Sequence, residues 1–585
     1  MVSPNPAGPD ADFGPARSAT TILFNPSDHD RFYPDEKSRD LMRKVIEFFE
    51  TRGNDQLQRD YYAHEWYAEF LEFVGREQVF ATISTPAGCG AKDSRWDTWR
   101  ICEFAEILGF YGLPYWYAWQ VSVLGLGPIW MSDNEAIKTR TAELLQQGAI
   151  FAFGLSEKTH GADIYSTDMI VSPAGEGRYT ASGSKYYIGN GNKAAIVSTF
   201  GKFADSDEYL FFAAESDHPR YELVKNVVAS QNYVSEFRLK EYPLTDAEIL
   251  HRGKDAWNAA LNTVNIGKYN LGWASIGICT HAFYEAIQHA AGRRLYNMSV
   301  TDFPHVRRLF TDAYVRLVAM KLFALRAADY MRTASLEDRR YLLFNPMTKM
   351  KVTTQGEDVI NLMWDVIAAK GFEKDMYFTQ AAVDIRALPK LEGTVHVNIA
   401  LIVKFMPNYF FNHADYPDVA TRNEAADDAF LFDQGPTGGL SKIRFNDWQA
   451  AFDGFDLPNV AIFREQALAY RDLLAGAPPT PEQMKDVDFL LTGGELFATI
   501  VYAQLILENA RLCEIDDDLV DQIFDCLVRD MSGYALDLYG KPTSTEQQMA
   551  HCLKIIRKPV PDAARAGRVW EQHVYAQRDA YTMRR

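Results

Sequence analysis

The sequence predicts an α+β fold in which a β-rich segment is inserted between helical segments. Three observations predict it. Apolar residues recur at three- and four-residue spacing before about residue 150 and again from about 256. Between them lie short runs rich in Tyr, Phe, Val, Ile and Thr, punctuated by Gly, Asn, Asp or Pro. At 585 residues the chain is also too long for a single core.

Residues 1–36 open with "MVSPNPAGPDADFGPARSA", rich in Pro, Gly and Ala, and are expected to form a flexible tail without the order of a signal peptide. Residues 37–150 are expected to be an N-terminal helical domain. Leu41, Val45, Phe48 and Phe49 recur at helical spacing, as do Trp66, Phe70 and Phe73. "STPAGCGAKDS" interrupts them as a loop, and 133–148, acidic early and ending in glycine, suits one helix. Phe110 to Met131 carries no charge, but its two prolines, three glycines and six Tyr or Trp residues argue for buried core or pocket wall and against membrane insertion.

Residues 151–255 are expected to form the β domain, with "GRYTASGSKYYIGNG", "AAIVSTFGKF" and "EYLFFAAES" as strands. Residues 256–405 return to helical spacing. There "FPHVRRLFTDAYVRLVAMKLFALRAADYM" reads as one long amphipathic helix. Residues 406–446 read as a linker, and 447–585 as further helices, with "TPEQ" at 480–483 supplying an N-cap Thr, a first-turn Pro and a capping-box Gln.

Composition narrows the function. Hydrophobic residues at 47% and charged residues at 24% describe an ordinary globular chain, and the net charge of −18 argues against nucleic-acid partners. Six cysteines form no CxxC pair and none lies at zinc-ligand spacing with His, which suits free thiols in a reducing cytoplasm. No metal site is expected from His160, His396 and His413. "GNGNKA" is no dinucleotide fingerprint, because no helix is expected after its glycines. In "LPKLEGTVHVN", Glu392 stands in a largely apolar stretch. It is either a solvated loop acid or a base held in a dry site.

Four blocks in this order resemble the acyl-CoA dehydrogenase family of flavoproteins. "LSEKTHGAD" at 155–163 is similar to the TEPxxGSD signature, and "GSKYYIGNG" at 183–191 to the G-x-K-x-W-I-T-N-G strand. "RRLYN" at 293–297 is similar to R-x-x-F-G. The stretch from "AAKGF" to "LEGT", 368–394, is similar to GGxGF followed by YEGT. The resemblance covers about 37–405 and implies an N-terminal helical domain, a middle β-barrel-like domain and a helical bundle. The remainder resembles the C-terminal helical extension of longer members.

The resemblance implies FAD and an acyl-CoA, or acyl carrier protein, thioester as substrate. Glu392 inherits the role of the base that removes the α-proton, with a raised pKa, and Gly393 lets the backbone approach the substrate. Phe153, Leu155 and Ser156 match positions at the flavin ring, and Tyr187 stands for the stacking Trp. Arg293 matches the guanidinium that reaches a flavin pyrophosphate across a subunit interface, with Tyr296 beside it. Thr394 is kept. A few members place the base one residue before a helix Arg, where this chain has Gly267 and then Lys268. Departures fall at other cofactor-contacting positions. Gly189 replaces a Thr, Ala162 a Ser, Ala368 and Ala369 a glycine pair, Lys158 a Pro and Asp365 a Gln, and His396 stands where Gln is common. The resemblance further implies a cytoplasmic homodimer working in fatty-acid metabolism with electron-transfer flavoprotein or a similar acceptor. An oxidase using oxygen, and a thioester-binding paralogue with weakened flavin chemistry, are the alternatives.

Overall fold

A computed structural model describes residues 22–585. Seven helices come first: α1 (Glu36–Arg52), α2 (Asn54–Ala63), α3 (Ala68–Arg76), α4 (Val79–Ser84), α5 (Thr98–Tyr111), α6 (Leu113–Trp130) and α7 (Glu135–Gln146). α1 starts where Asp35 accepts a hydrogen bond from the Ser38 amide and ends at Gly53, whose φ of +74° few other residues adopt. It buries Leu41, Met42, Val45, Ile46 and Phe49. α6 is buried along its whole length. That accounts for its apolar character all round without a membrane.

The strands follow as β1 (Phe151–Gly154), β2 (Ile170–Gly175), β3 (Arg178–Gly189), β4 (Ile196–Phe203), β5 (Tyr209–Ala214), β6 (Tyr221–Asn226), β7 (Val234–Thr245) and β8 (Ile249–Arg252). Their order is β6-β7-β3-β2-β4-β5-β8, with β1 added parallel to β4 from the pair Phe151–Ile196 onward. The hydrogen-bonded path runs from β6 at one edge to β8 at the other. β1 lies directly on α6. A β-carbon at Gly125 would sit 2.6 Å from the backbone N and O of Ala152, so glycine is what lets helix and strand approach.

The chain then returns to helices: α8 (Gly253–Lys268), α9 (Asn270–Gly292), a small hairpin of β9 (Arg294–Leu295) and β10 (Met298–Ser299), and α10 (Pro304–Arg332). α11 (Tyr341–Met347) runs through a π-helical turn, Thr348–Val352, into α12 (Thr353–Ile367), and α13 (Tyr377–Asp384), α14 (Val395–Ile402) and α15 (Met406–Phe411) complete this part. Helix therefore persists to Phe411, into the segment read as linker, because Tyr409 and Phe410 are buried in an aromatic cluster with Trp448 and Phe497.

The C-terminal helices are α16 (Pro458–Gly476), α17 (Val487–Leu512), α18 (Asp517–Tyr539), α19 (Glu546–Ile555) and α20 (Ala563–Val569). Thr480 and Gln483 form the expected reciprocal cap, 2.9 and 3.2 Å, but over a single 3-10 turn. α17 starts later, under Asp486. α17 is also long and apolar enough to cross a membrane by length and composition, yet it is mostly buried and packs against α10, α14 and α18.

Two ends meet at the first helices. Tyr581 donates to Glu50 at 2.7 Å, and the Arg584 carbonyl accepts from the Asn54 amide at 2.7 Å. The expected tail is shorter than 36 residues. Ile22, Leu23 and Phe24 are buried, Phe24 meets Phe110 edge to face, and Arg31 pairs with Glu103 at 2.6 Å. Residues 1–21 lie outside the described residues.

Candidate active site

The loop between α13 and α14 carries Glu392 and Gly393, at φ of +51° and +87°. Glycine adopts such a φ freely; a glutamate there is strained and persists only where its surroundings hold it. Three side chains do so. Lys349, on the π-helical turn, donates to the carbonyl of Pro389 at 2.7 Å and to that of Gly393. Asn398 donates to the carbonyls of Gly393 and Thr394 at 3.1 and 2.9 Å. Thr394 caps α14 by accepting from the Val397 amide.

The carboxylate of Glu392 points at α6 and α8. Its Oε1 accepts from Gln120 Nε2 at 2.8 Å; the same Nε2 donates to the Gly267 carbonyl at 3.0 Å. Asn270 Nδ2 in turn donates to Gln120 Oε1 at 3.0 Å, which fixes the amide's orientation. Oε2 of Glu392 is buried and has no hydrogen-bond partner among the described residues. A β-carbon at Gly267 would stand 3.5 Å from that Oε2. The two positions at which the resemblance places a base therefore converge here, and of the two only Glu392 is an acid.

Burial drives the electrostatics. It raises the Glu392 pKa to about 7, opposed by the Gln120 hydrogen bond and by the charges of Lys349 and Lys268. Burial likewise lowers Lys349 to about 7 and Lys268 to about 8. It also raises Tyr117, helped by the charge of Glu392. One potential base, two ammonium groups and a phenol share this region.

The β-domain face is held by a second buried pair. Lys185 donates to Glu157 at 2.7 Å and to the Leu155 carbonyl at 3.0 Å. Ser156 and Tyr186 exchange hydrogen bonds of 2.8 and 3.0 Å, so "LSEKTHGAD" lies against the strand that carries Tyr187. Tyr187 has φ +64° and is 62% exposed, while Phe153 stacks on Phe211. Glu157, His160 and Asp168 bring ligand-type atoms within 4.8 Å of one another. Both oxygens of Glu157 are already used, by Lys185 and Thr167 and by the Asp168 amide.

Gly189 is explained by its neighbours. A β-carbon there would meet Val121 Cγ1 at 2.7 Å, and Cε1 and the hydroxyl oxygen of Tyr117 at 2.8 and 2.9 Å. The space a threonine would occupy is filled by Tyr117, which brings a hydroxyl of its own. The loss of a hydroxyl read from Gly189 alone is thus offset in space. Ala368 has φ +53°, a conformation costly for alanine and ordinary for the glycine it resembles a replacement of.

Arg293, Tyr296, Asp365, Ala369 and His396 are exposed, as are Ala162 and Thr394. Tyr296 is 89% exposed at the tip of the β9–β10 hairpin, where it and Asn297 both have positive φ. Arg293, Tyr296, Asp365 and Ala369 share no hydrogen bond or ion pair with the Glu392 cluster among the described residues. Two cavities, of about 250 and 230 Å³, lie elsewhere: one between α5, α9 and α10, the other where the C-terminal residues cover α9. Gln120, Asn270, Tyr117 and Lys349 were not singled out from the sequence. Gln120 left a signal, as an uncharged amide inside a helix apolar on every face; Lys349 left none.

Comparison with known proteins bears on the family and the fold. Residues 255–406 match the family model "Acyl-CoA dehydrogenase, C-terminal domain". The very long-chain specific acyl-CoA dehydrogenase of Rattus norvegicus is 22% identical over 320 residues, covering 50% of this chain and 47% of that protein. An acyl-CoA dehydrogenase of Bacillus subtilis is 23% identical over 293 residues, 48% of this chain and 75% of that protein. The chain spans about half the length of the first curated relatives it matches. In fold, it resembles the acyl-CoA dehydrogenase of Bacillus anthracis solved with FAD. The TM-score is 0.70 at 15% identity, over 96% of this chain and 100% of that one, so the likeness extends through the C-terminal helices. Over residues 255–406 the chain is thus similar to the acyl-CoA dehydrogenase family, and its fold is that of the Bacillus anthracis enzyme, additional C-terminal helices included.

Proposed function

We propose that the chain carries out FAD-dependent α,β-dehydrogenation of an acyl-CoA thioester, with Glu392 as the base that removes the α-proton. The observation that carries this reading is the buried, unpartnered Oε2 of Glu392 in a group whose pKa sits at about 7. A carboxyl with an ordinary pKa would be a weak base at neutral pH, and a fully paired one would be unable to take a proton.

The residues present suit FAD. Tyr187 offers an exposed ring, held out by its left-handed backbone, next to the Ser156 turn. Phe153, Leu155, Ser156, Tyr187 and Thr394 would face the ring system. Arg293, exposed at the end of α9 with Tyr296 beyond it, would serve a pyrophosphate, from a second copy of the chain in a homodimer. When bound, FAD supplies the acceptor for the β-hydride. The chain's own residues do the rest. Glu392 takes the α-proton on Oε2 while Gln120 holds Oε1 in place, and Gly393 brings the main chain close to the thioester carbonyl. The Lys268 and Lys349 ammonium groups offset negative charge in the dry site.

The test is direct. The purified protein should release FAD on denaturation, and anaerobic addition of acyl-CoA should bleach the flavin across some range of chain lengths. No flavin after incubation with excess FAD would favour the thioester-binding paralogue instead. Oxygen consumption without an added acceptor would favour an oxidase.

A further inference from the structure

Lys349 is fully buried, yet its ammonium group is given to main-chain carbonyls and not to a carboxylate. The two carbonyls, Pro389 and Gly393, bracket the catalytic loop. The lysine reaches them from a π-helical turn, which inserts an extra residue into the helical ladder and re-aims the side chain. That turn is closely fitted to α9: a β-carbon at Gly272 would stand 2.6 Å from the Thr348 carbonyl. The ammonium is therefore delivered by a rigid, irregular element to a strained loop.

We propose that Lys349 is a positioning residue for the base: its ammonium group pins the Glu392 loop at Pro389 and Gly393 and supplies a positive charge that favours the ionised carboxylate. This rests on the reading of Glu392 as the base. Other charged groups face the pair. Lys268 comes from α8, and Lys390, tied to Glu357, comes from the loop's own start. Tyr117 and Gln120 face Glu392 from α6. Lys268 acts on Glu392 by charge, whereas Lys349 also binds the loop, so the two lysines are separable.

The sign follows from the charge. Removing a cation near a carboxylate raises its pKa, typically by on the order of one unit. A base works only when ionised, so the loss of rate should be large at neutral pH and recover toward high pH. A residue that merely supports the fold would lower the rate equally at every pH.

The experiment compares the parent, Lys349→Met and Lys349→Gln as FAD-loaded proteins. The first readout is the pH dependence of anaerobic flavin bleaching by acyl-CoA. The second, independent of turnover, is the titration of the Glu392 carboxyl by difference infrared spectroscopy, assigned with Glu392→Gln. Both neutral variants should titrate about one pH unit higher and bleach about fivefold more slowly near pH 7. Variants that fold and bind FAD with an unmoved midpoint would overturn the proposal, as would failure of both to fold. A parent that does not bleach with acyl-CoA would sink the functional reading itself, which is a different outcome.

Discussion

Gln120 Nε2 donates at once to Glu392 Oε1, at 2.8 Å, and to the Gly267 carbonyl, at 3.0 Å. One amide thus ties the loop carboxylate to helix α8, and the other carboxylate oxygen is buried with no hydrogen-bond partner among the described residues. The hydrogen bond favours the ionised acid and opposes the desolvation that raises its pKa.

Gln120→Leu removes that donor while keeping an apolar side chain of similar size. The Glu392 midpoint should rise, and the unpaired Gly267 carbonyl and Asn270 amide should cost about 1–3 kcal/mol. Carboxyl titration and thermal unfolding measure the two effects. A midpoint that stays or falls would show that the bond does not tune the acid.

Gly189→Thr should destabilise the protein by about 1–3 kcal/mol, because its β-carbon would overlap Tyr117 and Val121. Trimming Tyr117 to Ala in the same chain should recover part of that loss. Unfolding in urea, compared across the two single variants and the double, reads the coupling. An additive cycle would mean that the close approach is relieved elsewhere.

Lys185→Met leaves Glu157 buried without its cation and frees the Leu155 carbonyl. Loss of one partner from a buried pair costs about 3–5 kcal/mol. The turn bearing Leu155 and Ser156 should loosen with it, so FAD should be lost on dialysis that the parent withstands. Parent-like flavin retention would separate this ion pair from the cofactor site.

The sequence made the order of domains readable because periodicity reports which face of an element is buried, and α1, β3 and α10 show it plainly. Glu392, the proposed base, could be singled out because its EGT context is local. What supports it could not. Gln120, Lys349 and Asn270 lie 272, 43 and 122 positions from Glu392 and meet it only through the packing of α6, the π-helical turn and α9. Gly189 shows the same limit. Read alone it is a lost hydroxyl; beside Tyr117 it is a required space. The buried stretch Ile22–Phe24 was hidden by the Pro- and Gly-rich residues before it, and helix α15 by the short spacing of its two buried aromatics.

Glu392 also bears on stability. Its folded-state pKa of about 7 lies above the ordinary 4.5, so the folded protein holds the proton more tightly than the unfolded chain. Folding stability from this group therefore falls as pH rises from about 4.5 to 7. Glu392→Gln removes that loss, and should melt a few degrees higher than the parent at pH 8, with little difference at pH 4.5. Melting curves at the two pH values check the sign, which an unperturbed acid would not show.

The central claim is that Glu392 takes the proton, and the Glu392→Gln variant tests it most directly. Mixed anaerobically with an acyl-CoA that the parent turns over, the variant should still bind, seen as a perturbed flavin spectrum. Bleaching should slow by on the order of 100- to 10,000-fold, the usual contribution of a general base. Bleaching within about tenfold of the parent rate would contradict the account and assign the proton to another group.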